Sequence, residues 1–210
     1  MECKIRKAVR IIYILIFCSS FNLVFSQTII PGNYEKIPDT LYFKDRLYKS
    51  IIPNEKYKYW KFIKKDALTE KLIYENKKKE NISNKEKHSI EDGFFWECLP
   101  DGCFTYIIAY KSKQPEYFIN EKELIKFIGY VDNLSEALLI ARTHDLWFDR
   151  KNLIGGSFKI EKDFIYLYLA KSESCPVNRT AFFVKINRKT GELEKENKGV
   201  YYKSEDCYTS

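Results

Sequence analysis

Histidine occurs only twice, at His88 and His144, and the chain has one methionine, six prolines and eight glycines in 210 residues. No G-x-S-x-G segment is present, so the usual elbow of a serine hydrolase is missing. Gly155-Gly156-Ser157 is the nearest approach and reads as a loop entering a strand. Neither a P-loop nor a dinucleotide fingerprint occurs, which removes the common phosphate-cradling loops. A D-x-D-x-D-G calcium loop is absent too. Without a C-x-x-C pair, a four-thiolate zinc site and a redox dithiol both lack their normal spacing. The sequence therefore points to no catalytic set, no metal and no cofactor.

The start of the chain has a different character. Lys4, Arg6, Lys7 and Arg10 precede an apolar run from Ile11 to Phe17, which weakens through Cys18, Ser19, Ser20 and Asn22 and ends at Val24-Phe25-Ser26. A basic segment, a short apolar segment and a small residue at the boundary are the parts of a secretory signal. The expected cut lies between Ser26 and Gln27. The run falls short of the about 20 apolar residues that a membrane span needs, so no transmembrane segment is expected after its removal. Lipid attachment at Cys18 is the competing reading, although bulky Phe17 stands where a small residue is wanted. The expected destination is the periplasm or the extracellular space.

Loss of that segment would lower the net charge from +7 to about +4. Most of the excess lies in residues 55–87. That balance is milder than the concentrated basic footprint of nucleic-acid binders, and no nucleic-acid partner is expected. Asn81, Asn133 and Asn178 each open a glycosylation acceptor tripeptide. Four cysteines remain beyond the signal: Cys98, Cys103, Cys175 and Cys207. An even count in an oxidising compartment implies two disulfides, with three pairings open. Pro100-Asp101-Gly102 is a turn signal between Cys98 and Cys103, and a hairpin there would bring those two thiols within bridging distance. Cys175 is then left for Cys207.

Residues 27–92 read as a charged, partly irregular region with one helix expected from Asp66 to about Lys79, followed by a solvated connector through His88. Residues 93–210 read as an α+β domain. A hairpin spans 93–110, and Tyr117-Phe118-Ile119 adds a short strand. Asn120-x-x-Glu123 and Asn133-x-x-Glu136 are capping-box patterns that open two helices, the first ending at Gly129. Strands follow at 157–160, 164–170, 180–186, 192–194 and 200–202. The run Phe164 to Ala170 is apolar on both faces, so it is expected at the sheet centre with layers on either side. The fold class is α+β: an antiparallel sheet packed with two or three short helices and stapled by two disulfides.

Ser135-Glu136-Ala137-Leu138-Leu139-Ile140-Ala141, then strands, then Phe183 to Leu193 with Lys189-Thr190-Gly191-Glu192 at the turn, resembles the PepSY-type module over residues 133–196. That family pairs a helix with a small antiparallel sheet, and its members are found in the bacterial envelope. The resemblance implies an inhibitory or regulatory role towards an extracytoplasmic hydrolase. The chain as a whole is similar to exported proteins of Gram-negative bacteria. The upstream hairpin and the Cys175-Pro176 loop depart from the PepSY pattern, and the resemblance supplies no catalytic residue.

Among the titratable residues, His144-Asp145 lacks a nucleophile, and no carboxylate pair is singled out, although Asp145 and Asp149 around Trp147 could form a sugar-facing cluster. The competing reading makes Trp147 an anchor of its loop to the core. Tyr, Phe and Trp make up 16% of the chain, and any contiguous exposed group of them would mark a surface for a protein or glycan partner. The expectation is a binding or envelope-associated module without enzymatic activity; the alternatives are a regulator or inhibitor of an extracytoplasmic hydrolase, or a small hydrolase.

Overall fold

A computed structural model describes residues 30–77, 90–98 and 102–207. The signal segment with Cys18 and the Ser26–Gln27 boundary, the connector with Asn81 and His88, and the Leu99 to Asp101 turn lie outside the described residues.

Alternation of large rings with polar residues produces one antiparallel sheet around two strands, β2 (Tyr59–Asp66) and β5 (Cys103–Tyr110). Trp60, Phe62, Ile107 and Ala109 face the main core, while Tyr59, Ile63, Tyr106 and Ile108 face a second apolar cluster on the other side. β3 (Glu70–Glu75) extends the sheet beyond β2. On the far edge of β5, β4 (Phe94–Glu97) pairs near Cys103 and β6 (Pro115–Phe118) near Tyr110. A second sheet has the order β1 (Glu35–Lys36), β7 (Gly156–Ile160), β8 (Phe164–Ser174), β9 (Val177–Asn187) and β10 (Leu193–Lys203), all antiparallel. The helices are α1 (Lys44–Lys49), α2 (Glu121–Ile128) and α3 (Leu134–Thr143). This is an α+β fold, and both staples form: Cys98–Cys103 and Cys175–Cys207, with Cα atoms 5.3 and 4.3 Å apart. No helix among the described residues is long and apolar enough to cross a membrane.

The helix starts follow the sequence pattern. Asn120 accepts the Glu123 N–H, and Asn133 with Glu136 closes a full capping box. Leu134 through Ala141 are all buried, so α3 is enclosed on every side. Both sheets contribute side chains to the core around it. Asn133 also donates through Nδ2 to the Ser50 carbonyl, which commits this sequon's amide to the fold.

Three expectations are corrected. The helix expected from Asp66 is instead a β-hairpin. The Asp66 carboxylate accepts the N–H groups of Leu68 and Thr69 and the Thr69 hydroxyl, closing a tight turn. Leu68 is left 93% exposed and Leu72 also points to solvent, so the expected apolar helix face buries little. Because β2 and β3 join β5, the segments on either side of residue 92 share one sheet and one core. Finally, β8 is central in its sheet but covered fully on one face only. Ile165, Leu167 and Leu169 are wholly buried, whereas Phe164 and Tyr166 on the other face are part-exposed and Tyr168 is covered by the Tyr34 ring. β5 is the strand buried along its whole length.

The turn after β9 docks the second sheet onto the helices. Arg188 donates to the Val131 and Asp132 carbonyls between α2 and α3, and the Val131 N–H donates back to the Arg188 carbonyl. Gly191 adopts φ 72°, and a Cβ there would lie 2.6 Å from the Ile125 methyl. Gly191→Ala is expected to cost about 2 kcal/mol, combining left-handed strain with that clash. A urea titration with unchanged slope measures it.

Candidate functional site

The last turn of α3 carries Arg142 out of an otherwise apolar helix, and a bulge in β4 supplies its partner. Phe94 pairs with Thr105 and Glu97 with Cys103, so β4 carries one extra residue. Phe95 absorbs it at φ 59°, a conformation that a large side chain rarely adopts. Phe94 and Phe95 consequently both enter the main core, Trp96 turns outward against Phe104, and Glu97 returns inward. Cys98, also at positive φ, is tied to Cys103 immediately beyond.

Glu97 is the hub of a charged cluster. Its carboxylate accepts from Lys44 Nζ at 2.6 and 2.7 Å and from Arg142 Nη2, with Lys64 Nζ at 3.8 Å. The Arg142 guanidinium lies over the rings of Phe95 and Trp147, 5.1 and 4.9 Å from their centroids, two cation–π contacts on a residue only 17% exposed. Burial pulls the Glu97 carboxyl up, but Lys44 and Arg142 outweigh it and hold it below the usual carboxylate range. Burial lowers the Lys44 ammonium, against the pull of Glu97.

This cluster forms the floor of a groove made of three adjoining hollows. The middle one, about 450 Å³, is bounded by Tyr42, Trp96, Glu97, Arg142, Asp145 and Trp147. One neighbour of about 180 Å³ shares Tyr42 and Trp147 and reaches Arg150, Lys151 and Arg179. The other, about 290 Å³, shares Lys44 and Glu97 and reaches Lys64 and Lys71. Trp96 is 61% exposed, Phe43 59% and Tyr42 39%, and Tyr42 packs against Phe43, Trp147 and Phe148. Asp145, at φ 59°, is a second strained non-glycine residue on the wall.

The residues singled out from the sequence are distributed as follows. Asp145 and Asp149 do not form a pair but lie in different hollows on either side of Trp147. Asp145 is exposed, with Lys171 3.7 Å away. Asp149 is almost buried and accepts from Arg179 at 2.7 Å and from the Tyr201 hydroxyl at 3.0 Å, stapling the loop before β7 to β9 and β10. Burial raises its carboxyl, but the Lys151 N–H, Tyr201 and Arg179 bring it below the ordinary value. Trp147 packs on the core and also lines two hollows. His144 Nε2, at the end of α3, lies 2.9 Å from a carboxylate oxygen of Glu121 at the start of α2. Ser157 is fully buried inside β7 and has no elbow geometry.

Sequence reasoning missed Tyr42, Lys44, Glu97 and Arg142. A signal was present at Phe94-Phe95-Trp96-Glu97, where three consecutive rings break the two-residue strand period. The Cys98–Cys103 bridge pins the end of this strand. Replacing both cysteines by serine is expected to cost about 2 kcal/mol from loop-closure entropy, read as a lower midpoint in urea.

Comparison of the chain with family models, with curated proteins and with solved structures finds no match.

Proposed function

We propose that this chain is an exported, non-enzymatic binding module and that the groove over Arg142 and Glu97 is its contact surface. The observation that carries the reading is the coincidence of exposed Trp96 and Tyr42, and of exposed Phe43 packed on Tyr42, with a charged floor and two strained backbone positions. Exposed rings on a preorganised wall give contact area at low entropic cost. Glu97 is saturated by three cations, which suits it to holding Arg142 in place rather than to proton transfer. The two disulfides, and the lack of a membrane-spanning helix among the described residues, are compatible with export.

A photo-crosslinking residue at position 96, with a control at Leu68 on the β2–β3 turn, tests the reading in the native setting. Capture from position 96 and none from position 68 is expected. Equal capture from both, or none from 96, contradicts it. Turnover of an envelope polymer that vanishes on Glu97→Gln would instead make the groove an active site.

The runner-up, a regulator or inhibitor of an extracytoplasmic hydrolase, draws on the order of α3 followed by the β7–β10 meander. Inhibition of such a hydrolase by the purified protein is its signature.

A further inference from the structure

Resting on that reading of the groove, we propose that its ligand is an acidic glycan, with a sugar ring lying on exposed Trp96, edges against Tyr42 and Trp147, and carboxylates on the cations beyond them. The charge of the lining carries the argument. The groove's four acids are each engaged already: Glu97 with Lys44 and Arg142, Asp149 with Arg179, Asp145 beside Lys171 and Asp45 4.0 Å from Lys49. Lys71, at one end, and Arg150 and Lys151, at the other, line the groove without an ion pair among the described residues. Arg150 lies over the Tyr42 ring at 4.3 Å, which fixes that cation against the groove's aromatic wall.

A groove with surplus positive charge at both ends and rings between them matches a chain that alternates flat apolar faces with anionic groups. Sugar rings present C–H faces to aromatic side chains, and uronic acids present carboxylates that guanidinium and ammonium groups pair with. Neutral glycans would leave the surplus cations unused. An acidic peptide would use the cations but has no repeating face for the rings.

Calorimetry on the oxidised chain beginning at Gln27 tests this, with galacturonic acid hexamer, its methyl ester and hexaglutamate as probes. Binding of the acid hexamer is expected, weakened about tenfold by esterification, by Lys71→Glu or by Trp96→Ala, and weakened by added salt. Both substitutions are at the surface, and a matching melting temperature shows that the fold is kept. Equal binding of the ester overturns the proposal, as does hexaglutamate binding that Trp96→Ala leaves unchanged. Failure of the acid hexamer to bind also overturns it. If position 96 still crosslinks a partner in that case, only the ligand class falls. If crosslinking fails as well, the groove reading falls with it.

Discussion

Glu136→Ala is expected to destabilise the protein by about 3 kcal/mol near pH 5, one of the two largest single effects in this fold. Glu136 is wholly buried at the start of α3. Its carboxylate accepts from Ile52 N–H at 2.7 Å, Asp132 N–H at 2.7 Å and Asn133 N–H at 3.4 Å. Alanine removes the only side-chain acceptor these groups have among the described residues and breaks the capping box. It also removes one of the two hydrogen bonds that tie the segment after α1 to the start of α3, the other being Asn133 to the Ser50 carbonyl. Burial pushes the Glu136 carboxyl up to about 7, against the opposite pull of the three N–H donors. A carboxyl raised in the folded state binds its proton more tightly there than in the unfolded chain. Its contribution is thus complete below about pH 4.5 and is lost as pH rises through about 7. The cost of Glu136→Ala should accordingly be smaller at pH 8 than at pH 5. Urea titrations of both proteins across that range measure the difference, and a cost that does not change with pH would contradict the assignment.

Glu97→Ala is the second, at about 3 kcal/mol. It leaves Arg142, Lys44 and Lys64 converging on one point without a counter-charge. The estimate sits at the lower end of the range for a broken buried pair, because the Arg142 and Glu97 side chains are 17% and 27% exposed. A double-mutant cycle separates the pair from its surroundings: Glu97→Gln with Arg142→Met should cost less than the two single changes together. Strict additivity would mean that the pair is not coupled. The substitution should also weaken capture at position 96, because Arg142 would lose the partner that orients it over Phe95 and Trp147.

The parts of this fold that were legible in the sequence are those set by local chemistry. Asn120 and Asn133 announced the starts of α2 and α3, Gly129 the stop of α2, and Pro100-Asp101-Gly102 the bridge between Cys98 and Cys103. In each case neighbouring residues decide the conformation. The stretch after Asp66 misled because Ala67, Leu68, Leu72 and Ile73 can be grouped on a helical face, whereas the structure is decided by the Asp66 side chain closing a turn and by β5 waiting to pair with β2. The two-faced burial of β5, rather than β8, depends on which apolar strand the rest of the chain covers, a tertiary outcome that no strand pattern encodes.

The groove was legible only in fragments. Trp147 and Asp145 stood out in their own loop, and the surplus of aromatic residues was plain. What joins them is an assembly of separate segments: the approach to α1 and its first turn, the bulge of β4, the end of α3 and the loop before β7, with β2, β3 and β9 supplying cations at the ends. Lys44 and Glu97 are 53 positions apart and Glu97 and Arg142 another 45, so their meeting depends on the packing of α3 beneath both sheets. An acid following three aromatic residues and an arginine at the end of an apolar helix are each unremarkable alone.

The central claim is that the aromatic rim of this groove is a contact surface, and hydroxyl-radical footprinting tests it most directly. The protein is labelled once in purified form and once in its native setting, and oxidation of each exposed side chain is read by mass spectrometry. The account predicts that Trp96, Phe43 and Tyr42 are modified in the purified protein and protected in the native setting, while Leu68 is modified equally in both. Equal modification of the three rings in both settings would contradict it.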